Sequence, residues 1–246
     1  KALLNASAGL RQPGTRVSHV FLADIPAYPK LLAISDAAVN IAPDLSAKAA
    51  ILQHAIDLMA SIGVDLPKAA ILSAVETVNP LISSSLDAAA LSVMSHRGQV
   101  RGALVDGPLA FDNAISLKAA EVKGIASPVA GDADILLVPD LVSGNILAKS
   151  LEYMADATLA GLVLGLNAPI VLPSRADPVD ARLAGLALAR LSLAAKARES
   201  APQDKAPVWP VHATRSSPMP EVDCCPPSDP TPTSPTSLNG GAHAEP

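Results

Sequence analysis

Between about residue 17 and residue 195, short apolar runs alternate with longer stretches in which apolar residues recur every three or four positions. The first pattern reads as buried strand and the second as amphipathic helix. "VSHVFLAD" (Val17–Asp24) and "LLAISDAAVN" (Leu31–Asn40) are strands joined by a Pro-Ala-Tyr-Pro turn, which predicts an antiparallel edge to the sheet. "SAKAAILQHAIDLMASIG" (Ser46–Gly63) predicts a helix with a Ser cap and a Gly stop, its apolar face on Ile51, Ala55, Leu58 and Met59. A short strand, Lys68–Ala74, leads to a helix over Ser84–Gly98 opened by a capping box on Ser84 and Asp87. A strand over Val100–Gly107 and a helix around Asn113–Lys123 follow. Next come a strand over Ile135–Val138 and a helix start that Ser143 or Asn145 caps. Strands Ala160–Gly165 and Ala168–Ser174 and a helix from Asp177 to about Ala195 complete the series. Strands alternating with helices predict an α/β fold with a largely parallel sheet.

Residues 198–246 break the pattern. They hold about half of the 23 prolines and show no periodicity. Such a segment buries too little apolar surface to offset its ordering entropy, so a disordered tail is expected. No function is assigned to it.

Composition narrows the function. With 50% hydrophobic residues but only 2% aromatic, the core must be built from Ala, Leu, Val and Ile. A net charge of −5, no basic stripe and few rings for bases to stack on argue against a nucleic-acid partner. The apolar stretch Leu159–Leu172 is broken by Gly161, Gly165, Asn167 and Pro169 and falls short of the ~20 residues that span a bilayer, so no membrane segment is expected. No basic-then-apolar leader opens the chain, and its start at Lys1 predicts a fragment or a processed product. The two cysteines, Cys224 and Cys225, are adjacent in the tail. They make no metal quartet or disulfide framework, leave the body without a Cys nucleophile, and predict a reducing cytoplasm. The five histidines do not cluster, and no metal site is predicted. Neither a G-x-G-x-x-G after a strand nor a G-x-x-x-x-G-K-[ST] occurs.

Three clusters follow predicted strands, where open α/β sheets place ligands. They are "DGPLAFDNA" (Asp106–Ala114), the segment with Ser127 and the Pro139–Asn145 turn, and "LPSRADPVD" (Leu172–Asp180). Strand, tight turn and helix start in the second segment suit a small anion, through backbone N–H groups and the helix dipole, but taken alone the segment reads first as an ordinary capped connection. Arg175 stands between a strand and a helix, where a guanidinium can grip phosphate with two parallel bonds. Ser174 could donate to an oxyanion and Asp177 could accept a proton. The same residues fit a Ser174-x-x-Asp177 capping box, or an Asp177 N-cap before Pro178.

Taken together, "DGPLAFDNAI", "SPVAGDADILLVPDLVSGNILAKSLEYMADATLAGLVLG" and "PIVLPSRAD" resemble the phosphate acetyl/butyryl transferases, in the form fused behind an enoyl-CoA hydratase domain. The resemblance covers roughly residues 14–193. It implies a two-domain α/β/α fold of the isocitrate/isopropylmalate dehydrogenase type, with the active site between domains. Residues 1–162 would be the second, central domain and 163–197 the C-terminal segment of the first, most of which precedes the chain. The implied reaction is acyl-CoA plus phosphate to acyl phosphate plus coenzyme A, with coenzyme A as substrate and no further cofactor. Arg175 would bind phosphate and Ser174 would support the transition state. Asp177 would be the base, because the position seven residues beyond the motif Ser, which carries the basic Asp in the acetyltransferases, is Ala181. Ser127, Asp140, Ser143, Gly144 and Asn145 would line the same cleft, in a homodimer. The alternative is a catalytically inactive remnant that serves only as a folding and dimerisation module.

Overall fold

Consecutive apolar residues along the central strands leave both faces of the sheet to be covered, and helices cover both. The computed structural model describes residues 10–11 and 14–200. Its strands are β1 (Ser18–Asp24), β2 (Leu32–Ser35), β3 (Lys68–Leu72), β4 (Leu104–Leu109), β5 (Ile135–Leu137), β6 (Thr158–Leu164) and β7 (Ile170–Val171). Its helices are α1 (Leu45–Ser61), α2 (Ser83–His96), α3 (Phe111–Ile115), α4 (Leu117–Val122), α5 (Leu141–Met154) and α6 (Val179–Ser200). On one face Val20, Leu22, Ile71, Ile135 and Leu162 pack against Ile51, Leu52 and Met59 of α1, Leu91 of α2 and Leu188 of α6. On the other, Phe21, Ile34, Ala70 and Leu136 meet Ala114 of α3, Ala120 of α4 and Ala148 of α5. The result is a three-layer α/β/α sandwich around one seven-stranded mixed sheet, in the order β4-β3-β5-β2-β1-β6-β7.

Strands β2, β3, β4 and β5 are parallel. The expected antiparallel pair is present, with Val20 opposite Ser35 and Ala23 opposite Leu32, but it stands in the middle of the sheet and not at an edge. The reason is β6, which pairs antiparallel with the free side of β1 along its length, from Ser18↔Leu164 to Asp24↔Thr158. β6 thereby crosses position 162/163 without a break. β7 adds a two-residue antiparallel edge. It is shorter than the expected Ala168–Ser174 strand, because the chain turns away into the loop before α6. α6 runs to Ser200, three residues into the segment expected as tail; the remainder of that segment lies outside the described residues.

Several local signals resolve differently from the expectation. β2 stops at Ser35 because the buried Asp36 carboxylate gathers N–H donors that a longer strand would have used. It accepts from the backbone of His19 (3.1 Å), Ala38 (3.0 Å) and Val39 (2.9 Å), and from Asn40 Nδ2 (2.5 Å). Asp44, not Ser46, caps α1, accepting from Ala47 N–H at 2.7 Å. The predicted helix over Asn113–Lys123 is two short helices, the second capped by Ser116.

His19 sits on β1, fully buried, and neither of its ring nitrogens has a hydrogen-bond partner among the described residues. Its ring meets Phe21 edge-on, with centroids 4.3 Å apart. Burial pushes its pKa down from 6.5 to about 4, against the opposing pull of Asp36. The folded chain therefore holds that proton less tightly than the unfolded one. The stability contribution is complete above about pH 6.5 and is lost as the pH falls towards 4. His54, whose Nδ1 lies 2.8 Å from Ser18 Oγ, is also lowered by burial and acts in the same direction. His19→Leu is accordingly expected to flatten the decline in urea-unfolding free energy across that window. An unchanged slope would assign the acid sensitivity elsewhere.

Candidate active site

Each parallel strand hands the chain to a helix, so the C-terminal ends of the strands and the N-terminal ends of the helices meet on one rim. There a cavity of about 620 Å³ opens. Ala42 and Pro43 reach it from the loop after β2, Leu72, Ser73 and Ala74 from β3, Phe111 from beyond β4, and Val138, Pro139 and Asp140 from β5. Residues near the N-terminal ends of the helices complete the wall: Lys48 of α1, Ser83, Ser84 and Asp87 of α2, and Ser143 of α5. Leu72, Phe111, Val138 and Leu147 give the wall apolar surface, while Lys48, four serines, Asp87 and Asp140 give it polar groups.

The polar groups are ordered by internal bonds. Lys48 is 6% exposed, and its Nζ donates to Asp87 Oδ2 at 2.7 Å. The hydroxyls of Ser73 and Ser84 lie 2.9 Å apart. The capping box expected of Ser84 and Asp87 is therefore not formed. α2 starts after Ile82 with no side-chain cap, and both residues turn to the cavity wall instead. Asp140 caps α5 in place of Ser143 or Asn145. Its Oδ1 accepts from Ser143 N–H at 2.9 Å and from Ser143 Oγ at 3.1 Å.

Gly144 and Asn145 stand beside this rim in supporting positions. A Cβ on Gly144 would fall 2.6 Å from Val138 Cγ2 and 3.1 Å from the Asp36 carbonyl oxygen, so glycine is what lets α5 start against the end of β2. Asn145 Nδ2 donates to the Ala37 carbonyl at 3.3 Å. Ser127 is not in the cavity wall. Its Oγ accepts from the N–H groups of Val129 (3.1 Å) and Ala130 (3.2 Å), closing the turn that leads towards β5.

Ser174, Arg175 and Asp177 lie elsewhere. β7 runs antiparallel to β6, and β6 runs in the same direction as β2, so β7 ends at the end of the sheet opposite the cavity. Leu172 N–H, still bonded to the Gly161 carbonyl at 3.0 Å, shows the chain heading that way. The turn beyond it is closed on itself. Asp177 is buried, its Oδ2 accepts from Ser174 N–H at 2.6 Å, and its own N–H reaches the Ser174 carbonyl at 3.2 Å. That carboxylate bond is the returning half of a capping box, formed ahead of the first helical residue, Val179. Arg175 is exposed, with its carbonyl 3.5 Å from Arg182 Nη2. Of the eight candidate residues, the fold thus brings Asp140 and Ser143 to the cavity and braces them with Gly144 and Asn145. It sets Ser127 apart and groups Ser174, Arg175 and Asp177 at the far end.

Lys48 was missed by sequence reasoning, although one signal was available. It falls three and four positions before Ile51 and Leu52, on the apolar face of its helix, where a lysine needs a partner. Among the described residues no group of three or more His, Cys, Asp or Glu could hold a metal ion, and no helix is long and apolar enough to cross a membrane.

The sequence matches the family described as phosphate acetyl/butaryl transferase over residues 8–189. It is 56% identical to a phosphate acetyltransferase of Rhizobium meliloti, over 76% of this chain and 58% of that protein. It is 43% identical to a phosphate butyryltransferase of Clostridium acetobutylicum, over 78% of this chain and 63% of the relative. A branched-chain phosphotransacylase from Enterococcus faecalis V583 superposes with a TM-score of 0.70 at 34% identity, covering 78% of this chain and 68% of that one. The chain therefore spans little more than half the length of curated relatives it matches. With the family match running through all three motif clusters, the chain belongs to the phosphate acetyl/butyryl transferase family.

Proposed function

We propose that this chain carries out, within its family, the transfer of an acetyl or short acyl group between coenzyme A and inorganic phosphate. A phosphate oxygen attacks the thioester carbonyl, a tetrahedral oxyanion forms, and the C–S bond breaks to release the coenzyme A thiolate and leave an acyl phosphate. The step needs a cation for phosphate, donors for the oxyanion and a base for the thiol in the reverse direction. No cysteine nucleophile is required, which accords with a body whose sequence has none before Cys224. The observation that carries the reading is the family match through all three motif clusters.

By resemblance, Arg175 holds phosphate, Ser174 supports the oxyanion and Asp177 moves the proton, while Asp140 and Ser143 serve the cavity. The proposed architecture of the longer protein is the two-domain α/β/α type of isocitrate and isopropylmalate dehydrogenases. Residues 1–162 would lie in the central domain and 163–197 in the first. A cytoplasmic homodimer is proposed as well. An exposed apolar ridge on α5, made by Val142, Ile146, Tyr153 and Met154, supports a second copy docking there.

A second reading, a folding and dimerisation module without turnover, draws support from the distance between the Ser174–Asp177 turn and the cavity, which lie at opposite ends of the sheet. Free-thiol release from acetyl-CoA separates the two. Acyl transfer predicts release that depends on added phosphate and yields acetyl phosphate in equal amount. A folded chain that releases none is the module.

A further inference from the structure

We propose that the cavity at the ends of the four parallel strands is an oxyanion-binding subsite whose cation is Lys48, with the Ser73–Ser84 hydroxyl pair beside it. The ligand class is a phosphate or phosphoryl group. The apolar lining residues, Leu72, Phe111, Val138 and Leu147, are then available to whatever the phosphoryl group is attached to. Assigning that attached part as an acyl chain rests on the acyl-transfer reading; the oxyanion site itself does not.

Four observations converge on it. The Lys48–Asp87 pair is unevenly placed: the lysine side chain is 7% exposed and the aspartate 29%. The cation is held inside, on the cavity wall, while its counter-ion has water to turn to when an anion arrives. Such a pair is a weak stabilising device, since well-packed apolar residues would hold α1 to α2 as well. Second, the Ser73 and Ser84 hydroxyls share one hydrogen bond between them. One proton of the pair remains to be donated to a ligand. Third, Ser84 and Asp87 have the spacing of a capping box yet cap nothing. In the first turn of α2 Ser85 N–H returns to the Ile82 carbonyl at 2.9 Å, and no side chain caps the remaining N–H groups, which lie beside Lys48. Fourth, the carboxylates on the wall are Asp87 and Asp140. Asp87 is neutralised by Lys48, and Asp140 is bonded to Ser143 N–H and Oγ.

The site is separate from Arg175, which lies beyond the opposite end of the sheet. A reaction joining coenzyme A and phosphate involves phosphoryl groups on both substrates, so two anion sites have work to do.

The test is an amide ¹H–¹⁵N titration of the whole chain with inorganic phosphate. The expected result is a saturable shift of the Ser73, Ser84 and Ser143 amides in the wild type. Lys48→Met should weaken phosphate affinity at those amides by roughly 10- to 100-fold, the loss of a charge-assisted contact. Arg175→Lys should leave the shifts at Ser84 and Ser143 in place. Should Lys48→Met fail to fold, Lys48→Met combined with Asp87→Leu removes both charges together, and it too should lose the shifts. The proposal is overturned if the wild-type amides do not respond, or if either folded Lys48 variant binds phosphate as the wild type does. The wild-type arm alone decides if neither variant folds. Because no turnover is read, phosphate binding without thiol release would sink the acyl-transfer reading and leave this site standing. Thiol release without these shifts would do the reverse.

Discussion

Gly165→Ala should be the most damaging single methyl group in the molecule, lowering stability by about 3–5 kcal/mol. Gly165 follows β6 at φ +79°, a left-handed conformation that costs an alanine roughly 1–2 kcal/mol. The added Cβ would also collide with the Arg16 carbonyl oxygen and come within 2.7 Å of His54 Cε1. The carbonyl belongs to the backbone leading into β1, so it cannot move without disturbing the β1–β6 ladder. His54 is tied to Ser18 on the same strand. Gly63 is the control: its φ is +98°, but a Cβ there would meet nothing within 4 Å. Gly63→Ala should lose only the conformational part, about 1 kcal/mol. Urea titration of both variants measures the difference. Equal losses would show that the contact with Arg16 relaxes freely.

Asp177→Asn should reduce turnover by ~10²–10⁴-fold if Asp177 moves the proton, with little change in stability. The structure says why stability is spared. Asparagine retains an oxygen to accept the Ser174 N–H, the bond that closes the turn. Arg175→Lys acts differently, because Arg175 is exposed and its substitution should leave stability within about 0.5 kcal/mol. It retains the charge and loses the planar fork, so the KM for phosphate should rise before kcat changes. Full activity in both variants would remove the catalytic roles from this turn. Family membership would stand.

Strands were legible where pattern and burial coincide. Ile135–Leu137 and Lys68–Leu72 are apolar on both faces because helices cover both, and a short uninterrupted apolar run announces that. The position of β1 and β2 was not legible. A short turn reports that two strands pair, but whether a third joins the outer side depends on a segment far along the chain, and no local signal carries it. Caps failed for a related reason. Ser84 and Asp87 satisfy the local rule for starting a helix, yet Ser73 and Lys48, from other elements, compete for the same side chains and prevail. The candidate site divided along the same line. Asp140 and Ser143 lie at the end of a parallel strand and reach the cavity. The "PSRAD" turn follows a strand whose direction is set by a hairpin with β6, and a motif cannot record which way its strand points.

The pairing of β1 with β6 has a further consequence, for how the chain acquires its structure during synthesis. β1 finds β2 within a few residues, but its other side joins Ser18 to Leu164, so the centre of the sheet cannot close until most of the body has left the ribosome. Contacts of such sequence separation form slowly, because loop-closure entropy must be overcome before they contribute. Until then β1 has an unpaired side carrying Val20, Phe21 and Leu22, the arrangement that invites strand addition from a neighbouring chain. A nascent or cleaved chain ending before Thr158 should therefore associate through β1, while a chain that includes β6 is protected by its own last central strand.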